Sequence, residues 1–139
     1  MASPKQILQR YSVIAVVGIS RYAHKEAGHA PAEMQAAGYR IIPVNPHADV
    51  LLGERVYRTL EDIPEPVEIV NVFRPPGDAP EVASQAVAIG AKVLWLQLGI
   101  TSEEARKIAE GAGLDYVEDR CIAVERSRHG LTKKRSASL

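Results

Sequence analysis

The chain is expected to fold as α/β, in three layers around one doubly wound parallel sheet. Three observations predict this. Short runs such as Val13–Val17 are apolar without alternation, the form of a strand covered on both faces. Segments with helical spacing of apolar residues separate these runs. The two kinds alternate along the chain, and right-handed crossovers turn that alternation into a parallel sheet. At 139 residues, 46% of them hydrophobic, the chain suits one domain with one core.

Residues 3–11 read as a short first helix with Ser3 as N-cap and Pro4 at its first position. Val13–Val17 is the first strand. Ala30–Ala37 is a helix stopped by Gly38, and Tyr39–Val44 is the second strand, ended by Asn45-Pro46. Val50–Glu61 is a less regular crossover, with Val56-Tyr57 as a small strand and Thr59 as the cap of a short helix. Val67–Phe73 is a strand, Arg74–Asp78 a rigid turn, and Ala79–Ile89 a helix with Pro80 in its first turn. Lys92–Gln97 is a strand. Thr101 with Glu104 reads as the capping box of the next helix, which runs to about Ala112. Asp115–Glu118 is a last short strand, and Cys121–Val124 a further extended segment. About five strands in the Rossmann-like order 3-2-1-4-5 are expected, residues 1–125 forming the domain and 126–139 a basic tail. From Arg126 onward the chain holds five Lys/Arg and no acid, which leaves 12 basic against 17 acidic residues before it.

The totals exclude several functions. Lys/Arg and Asp/Glu are equal at 17, so an anion site has to be local. Only 5% of residues are aromatic, which argues against base stacking along a nucleic-acid strand. No apolar run approaches the ~20 residues that span a bilayer. The first residues have no signal-peptide apolar region. With one cysteine, Cys121, the chain is expected in the cytoplasm, without membrane or nucleic-acid partners.

Ligands of such sheets bind beyond the carboxyl ends of the strands. The first such end, Gly18-Ile19-Ser20-Arg21 with Lys25 following, offers a permissive glycine, a hydroxyl and two cations, the ingredients of a phosphate site. His24 and His29 could add charge. The dinucleotide pattern Gly-x-Gly-x-x-Gly is absent, since positions 20 and 23 are Ser and Ala. The second strand ends in Asn45 and Pro46, where an NAD enzyme puts a carboxylate. More positive charge and no acid suit coenzyme A, which has a pyrophosphate and a separate ribose phosphate. Phe73, Arg74 and Pro75 form a stiff, partly apolar rim with another cation. Gln97, Gly99 and Ile100 end the next strand with an amide and a permissive turn.

Six stretches in order carry a resemblance: Val-Val-Gly-Ile-Ser-Arg, Ile-Pro-Val-Asn-Pro, Leu-Leu-Gly-Glu-Arg-Val-Tyr-Arg-Thr-Leu-Glu-Asp-Ile-Pro, Asn-Val-Phe-Arg-Pro-Pro, Leu-Trp-Leu-Gln-Leu-Gly-Ile and Glu-Asp-Arg-Cys. Together they resemble stand-alone CoA-binding domain proteins, similar to the N-terminal domain of the succinyl-CoA synthetase alpha subunit, over roughly Ser3 to Glu125. The resemblance implies that Gly18–Arg21 and Lys25 meet phosphates and that Asn45 and Pro46 border the adenosine. It implies that Phe73, Arg74 and Pro75 flank the nucleotide, with Gln97, Gly99 and Ile100 on the pantetheine side. The synthetase's phosphorylated histidine belongs to a second domain, and no histidine here sits in a comparable motif. The expected function is therefore non-catalytic binding of coenzyme A or an acyl-CoA. The alternatives are an NAD(P)-dependent oxidoreductase, or the CoA-binding part of an acyl-CoA ligase or transferase completed by a partner chain.

No hydrolase triad, Walker motif or metal-ligand spacing is present, and no catalytic or metal residue is expected. Asp119-Arg120-Cys121 is the one reactive candidate, because an adjacent arginine can lower a thiol pKa; the plainer reading, preferred here, is a half-buried structural cysteine next to an ion pair.

Overall fold

The computed structural model describes residues 1–134; the last five residues of the expected tail lie outside the described residues. Five parallel strands form the central sheet in the order β2-β1-β5-β6-β7: β1 Val13–Val17, β2 Arg40–Val44, β5 Ile69–Val72, β6 Val93–Leu96 and β7 Asp115–Val117. A two-residue hairpin, β3 Val50–Leu51 with β4 Glu54–Arg55, stands apart from it. Helices α1 Pro4–Arg10, α2 Glu26–Ala36 and α5 Ile122–Arg128 cover one face, and α3 Ala79–Ala88 and α4 Glu103–Gly111 the other.

Alternation of side chains along each strand divides the core in two. Ile14, Val16, Ile41, Ile69, Val93 and Trp95 face Met34 and Ile122. Ala15, Ile42, Val70, Val72, Leu94 and Leu96 face the alanines of α3 and α4. Nearly every strand residue is buried on one side or the other, which is why the sequence shows runs rather than alternation. Small residues let α3 and α4 lie close to the sheet. On the opposite face Trp95 fills the space, its indole N–H donating to the Arg120 carbonyl at 2.8 Å. Burial of each such large side chain contributes about 1.5–3 kcal/mol.

The Rossmann-like α/β class is as expected, and the edge of the sheet differs in detail. The position outside β2, expected for a third strand, holds only one parallel bridge, Val44 with Tyr57. Pro43 explains this. Its carbonyl faces outward and accepts from the Tyr57 N–H at 3.0 Å, and on the same side it has no N–H to give. A longer third strand would lose that hydrogen bond. At the far edge β7, the expected last short strand, completes the five. Arg40 binds Glu54 and Glu65 and ties the hairpin back to β2.

Three further details depart from the sequence reading. The α2 helix starts at Glu26, a full turn before Ala30. The N-cap of α4 is Ser102, whose hydroxyl accepts from the Ala105 N–H, and not Thr101. Residues 122–128 are helical rather than extended, so Arg126 and Arg128 close α5. Beyond it Leu131 packs on the core and the Lys133 N–H donates to the Ala37 carbonyl at 2.7 Å. No helix among the described residues is long and apolar enough to cross a membrane.

Candidate functional site

The first strand ends at Gly18, with φ of 85°. A Cβ there would lie 2.8 Å from the Phe73 carbonyl oxygen and 2.9 Å from Cδ of Arg74. Glycine is thus required twice, for its backbone conformation and for the close approach of the β5 exit. The loop that follows is pinned from below. Pro31 inside α2 has no N–H for the Ala27 carbonyl, and that carbonyl accepts the Ser20 N–H instead, at 3.0 Å. The Ser20 hydroxyl in turn accepts from the Tyr22 N–H at 3.1 Å.

Asn45 closes the other side. Its amide donates to the Ile19 carbonyl at 2.9 Å, and its oxygen accepts from the N–H groups of His47 and Ala48 at 2.7 and 2.9 Å. Arg58 secures that turn by donating to the Asn45 and Ala48 carbonyls and pairing with Asp49. Between the two loops lies a cavity of about 340 Å³, walled by Ser20, Arg21, Tyr22, Lys25, Asn45 and His47. Ile19 floors it and is itself buried in the core. Neither Arg21 nor Lys25 is paired with a carboxylate among the described residues. The Gly18 and Ser20 N–H groups are used internally, and the full positive charges on this wall are those of Arg21 and Lys25.

Of the expected residues, Ile19, Ser20, Arg21, Lys25 and Asn45 therefore converge on one cavity, and Gly18 lies beneath it against the β5 exit. Pro46 is exposed beside this cavity but does not line it. Phe73, Arg74 and Pro75 form the neighbouring rim. Phe73 packs on the core, and Arg74 pairs with Asp78 at 2.9 Å, so its charge is partly met.

The β6 exit is different. Gln97 is buried, accepting from Asn71 at 3.2 Å and from the Ile122 N–H at 3.3 Å. The Gly99 N–H donates to the Asp119 carboxylate at 2.7 Å, and the Ile100 N–H to the Gln97 carbonyl. Asn71 Oδ1 and Gln97 Nε2 are left without partners in the interior.

Cys121 lies between the two regions. Burial raises its thiol pKa first, and a hydrogen bond to Glu26 at 2.9 Å raises it further. Activation by Arg120, the alternative to a structural cysteine beside an ion pair, is not found: that guanidinium lies 3.7 Å from the buried Glu125 carboxylate.

The sequence reading missed Tyr22, His47 and the Asn71–Gln97 pair. The first two were within reach, being adjacent to Arg21 and Pro46. Asn71 also left a trace, as a lone amide in an otherwise apolar central stretch.

Comparison with known proteins gives the family. A family model described as CoA binding domain matches residues 12–127. The Bacillus subtilis protein YneT is 41% identical over 132 residues, covering 95% of this chain and 96% of its own. Acetate–CoA ligase [ADP-forming] II of Archaeoglobus fulgidus is 32% identical over 99 residues, 70% of this chain; the chain spans only 15% of that ligase. Among solved structures, a hypothetical protein from Pyrococcus horikoshii superposes with a TM-score of 0.87 at 36% identity, over 91% of this chain and 92% of that one. The structure of cell-free ID.343 from Thermus thermophilus superposes with a TM-score of 0.86 at 34% identity, over 92% of this chain and 99% of that one. With the family model matching residues 12–127 and a relative 41% identical over 95% of its length, this chain belongs to the CoA binding domain family.

Proposed function

We propose that this protein binds coenzyme A, or an acyl-CoA, at the carboxyl ends of β1, β2 and β5, and catalyses no reaction by itself. One observation carries the reading: Arg21 and Lys25, without acidic partners among the described residues, share one cavity with Ser20 and Asn45. Two cations on one wall favour a ligand with several phosphates. Asn45 supports coenzyme A over NAD. Its oxygen is already committed to two backbone N–H groups, so it offers a ribose hydroxyl little. In this reading Gly18, Ile19, Ser20, Arg21 and Lys25 meet the phosphates, and Asn45 and Pro46 border the adenosine. Phe73, Arg74 and Pro75 flank the nucleotide. Gln97, Gly99 and Ile100 shape the pantetheine side, by surface rather than by hydrogen bonds.

Titration calorimetry with coenzyme A and dephospho-CoA tests this. The expected result is binding of coenzyme A that weakens markedly without the ribose phosphate. No binding of either sinks the reading, and equal binding removes the role given to the extra cations. A second reading, the CoA-binding part of a ligase completed by a partner chain, is favoured by the Archaeoglobus relative, which is several times longer than the matched region. Pull-down with and without coenzyme A separates it from a lone binder.

A further inference from the structure

The first-turn loop presents an exposed aromatic ring on a fixed backbone. Tyr22 is 46% exposed. Its main chain is nevertheless held on three sides: the N–H by the Ser20 hydroxyl, the carbonyl by the Lys25 N–H at 3.1 Å, and the same carbonyl by Gly28, where any Cβ would collide with it. The cationic side chains gather round the ring. The Arg21 guanidinium carbon lies 5.1 Å from the ring centroid and the Lys25 ammonium 5.4 Å. The His24 ring lies 5.7 Å away, and Arg21 also donates to the Tyr22 hydroxyl at 3.1 Å. Two flexible cations so close repel each other and lose rotamer freedom when they close on a ligand. The negative face of an aromatic ring offsets the first cost and reduces the second.

We propose that Tyr22 is a positioning residue for anion recognition: its ring holds Arg21 and Lys25 together over the cavity, so that both meet one polyphosphate group. This rests on the proposed coenzyme A site and adds to it a residue that need not touch the ligand. It predicts that the ring matters and the ligand's base does not. Calorimetry with coenzyme A and, separately, inorganic pyrophosphate is applied to Tyr22→Phe, Tyr22→Leu and the Arg21→Ala background. Tyr22→Leu should weaken both ligands about three- to tenfold, with Tyr22→Phe close to the parent. The Tyr22→Leu effect should shrink in Arg21→Ala, since the ring acts through that cation; a purely structural role would persist there. Unfolding midpoints check that the variants fold.

Parental affinity in Tyr22→Leu overturns the inference. So does a loss confined to coenzyme A, which would make the ring a stacking platform for the base. If the parent binds pyrophosphate and not coenzyme A, the coenzyme A reading fails while the Tyr22 variants still decide this one. If it binds neither, both fail.

Discussion

The turns that follow β1 and β6 share one backbone feature and part company on every other. Gly18 and Gly99 both have φ of 85°, and each turn leads toward a helix. Around Gly18 the polypeptide crowds in, with Phe73 and Arg74 in contact, and two cations stand without acidic partners among the described residues. Around Gly99 there is open space, and the protein supplies the anion itself, the Asp119 carboxylate on the Gly99 N–H. The nearby guanidiniums of Arg120 and Arg128 are drawn to buried Glu125. A glycine turn before a helix therefore does not make an anion site. What decides is whether the chain has already answered the turn's donors and charges with carboxylates of its own.

The largest effect should come from adding one methyl group to each glycine. Gly18→Ala incurs left-handed strain, about 1–2 kcal/mol, and a contact with backbone that cannot move aside, about 1–3 kcal/mol more. Gly99→Ala incurs the strain alone, because nothing lies within 4 Å of the new atom. Urea denaturation should rank them in that order; equal losses would mean that the Phe73 approach is not a rigid constraint.

Next in size is the contrast between cations. Arg21→Ala should weaken coenzyme A binding by about 1.5–3 kcal/mol, as for a hydrogen bond to a charged group. Arg74→Ala should lose roughly 1 kcal/mol or less, since Arg74 is already shared with Asp78 and exposed. Asp78→Ala sharpens the test by freeing Arg74, and should tighten binding. Calorimetry that ranks Arg74 above Arg21 would move the phosphate site to the β5 exit.

A smaller loss is expected where the chain closes the second turn. Asp119 has φ of 55°, which Asp and Asn tolerate better than other side chains. Asp119→Asn keeps both the conformation and an acceptor for the Gly99 N–H and should stay near parental stability. Asp119→Ala loses the acceptor and should cost about 1–2 kcal/mol in thermal or urea unfolding. Equal losses in the two variants would mean that charge, not the hydrogen bond, holds this turn.

The same contrast explains what could be read from the sequence. The sheet was legible because continuous apolar runs report burial on both faces, as in Val13–Val17. The cluster Ile19, Ser20, Arg21, Lys25 and Asn45 was legible because the strand-end rule brings two adjacent loops together whatever their side chains do. The partners at the β6 exit were not legible, because they are long-range. Nothing near Gly99 in the sequence says that Asp119, twenty residues on, will occupy its N–H. The reactive alternative for Cys121 rested on Arg120 being adjacent, and it fails for the same reason, since Arg120 lies beside buried Glu125. Pairing among charges is a tertiary property, and adjacency in sequence predicts it poorly.

Cys121 links the two turns, since it follows Asp119 and its thiol donates to Glu26 just beyond the first turn. Burial and then Glu26 raise its pKa, so the folded protein favours the neutral thiol. The sign follows. The stabilisation is complete below the unfolded pKa, about 8.5, and is lost as pH rises through the higher folded value. Alkylation of the folded protein should accordingly have its pH midpoint above that of an unfolded thiol. Glu26→Ala removes the second cause and leaves the first, so its midpoint should fall toward the ordinary value without passing below it. A parental midpoint under the ordinary thiol value would return Arg120 to the role that its place in the sequence suggested. A Glu26→Ala midpoint identical to the parent's would mean that burial alone holds the proton, and that the two turns are not joined through this thiol.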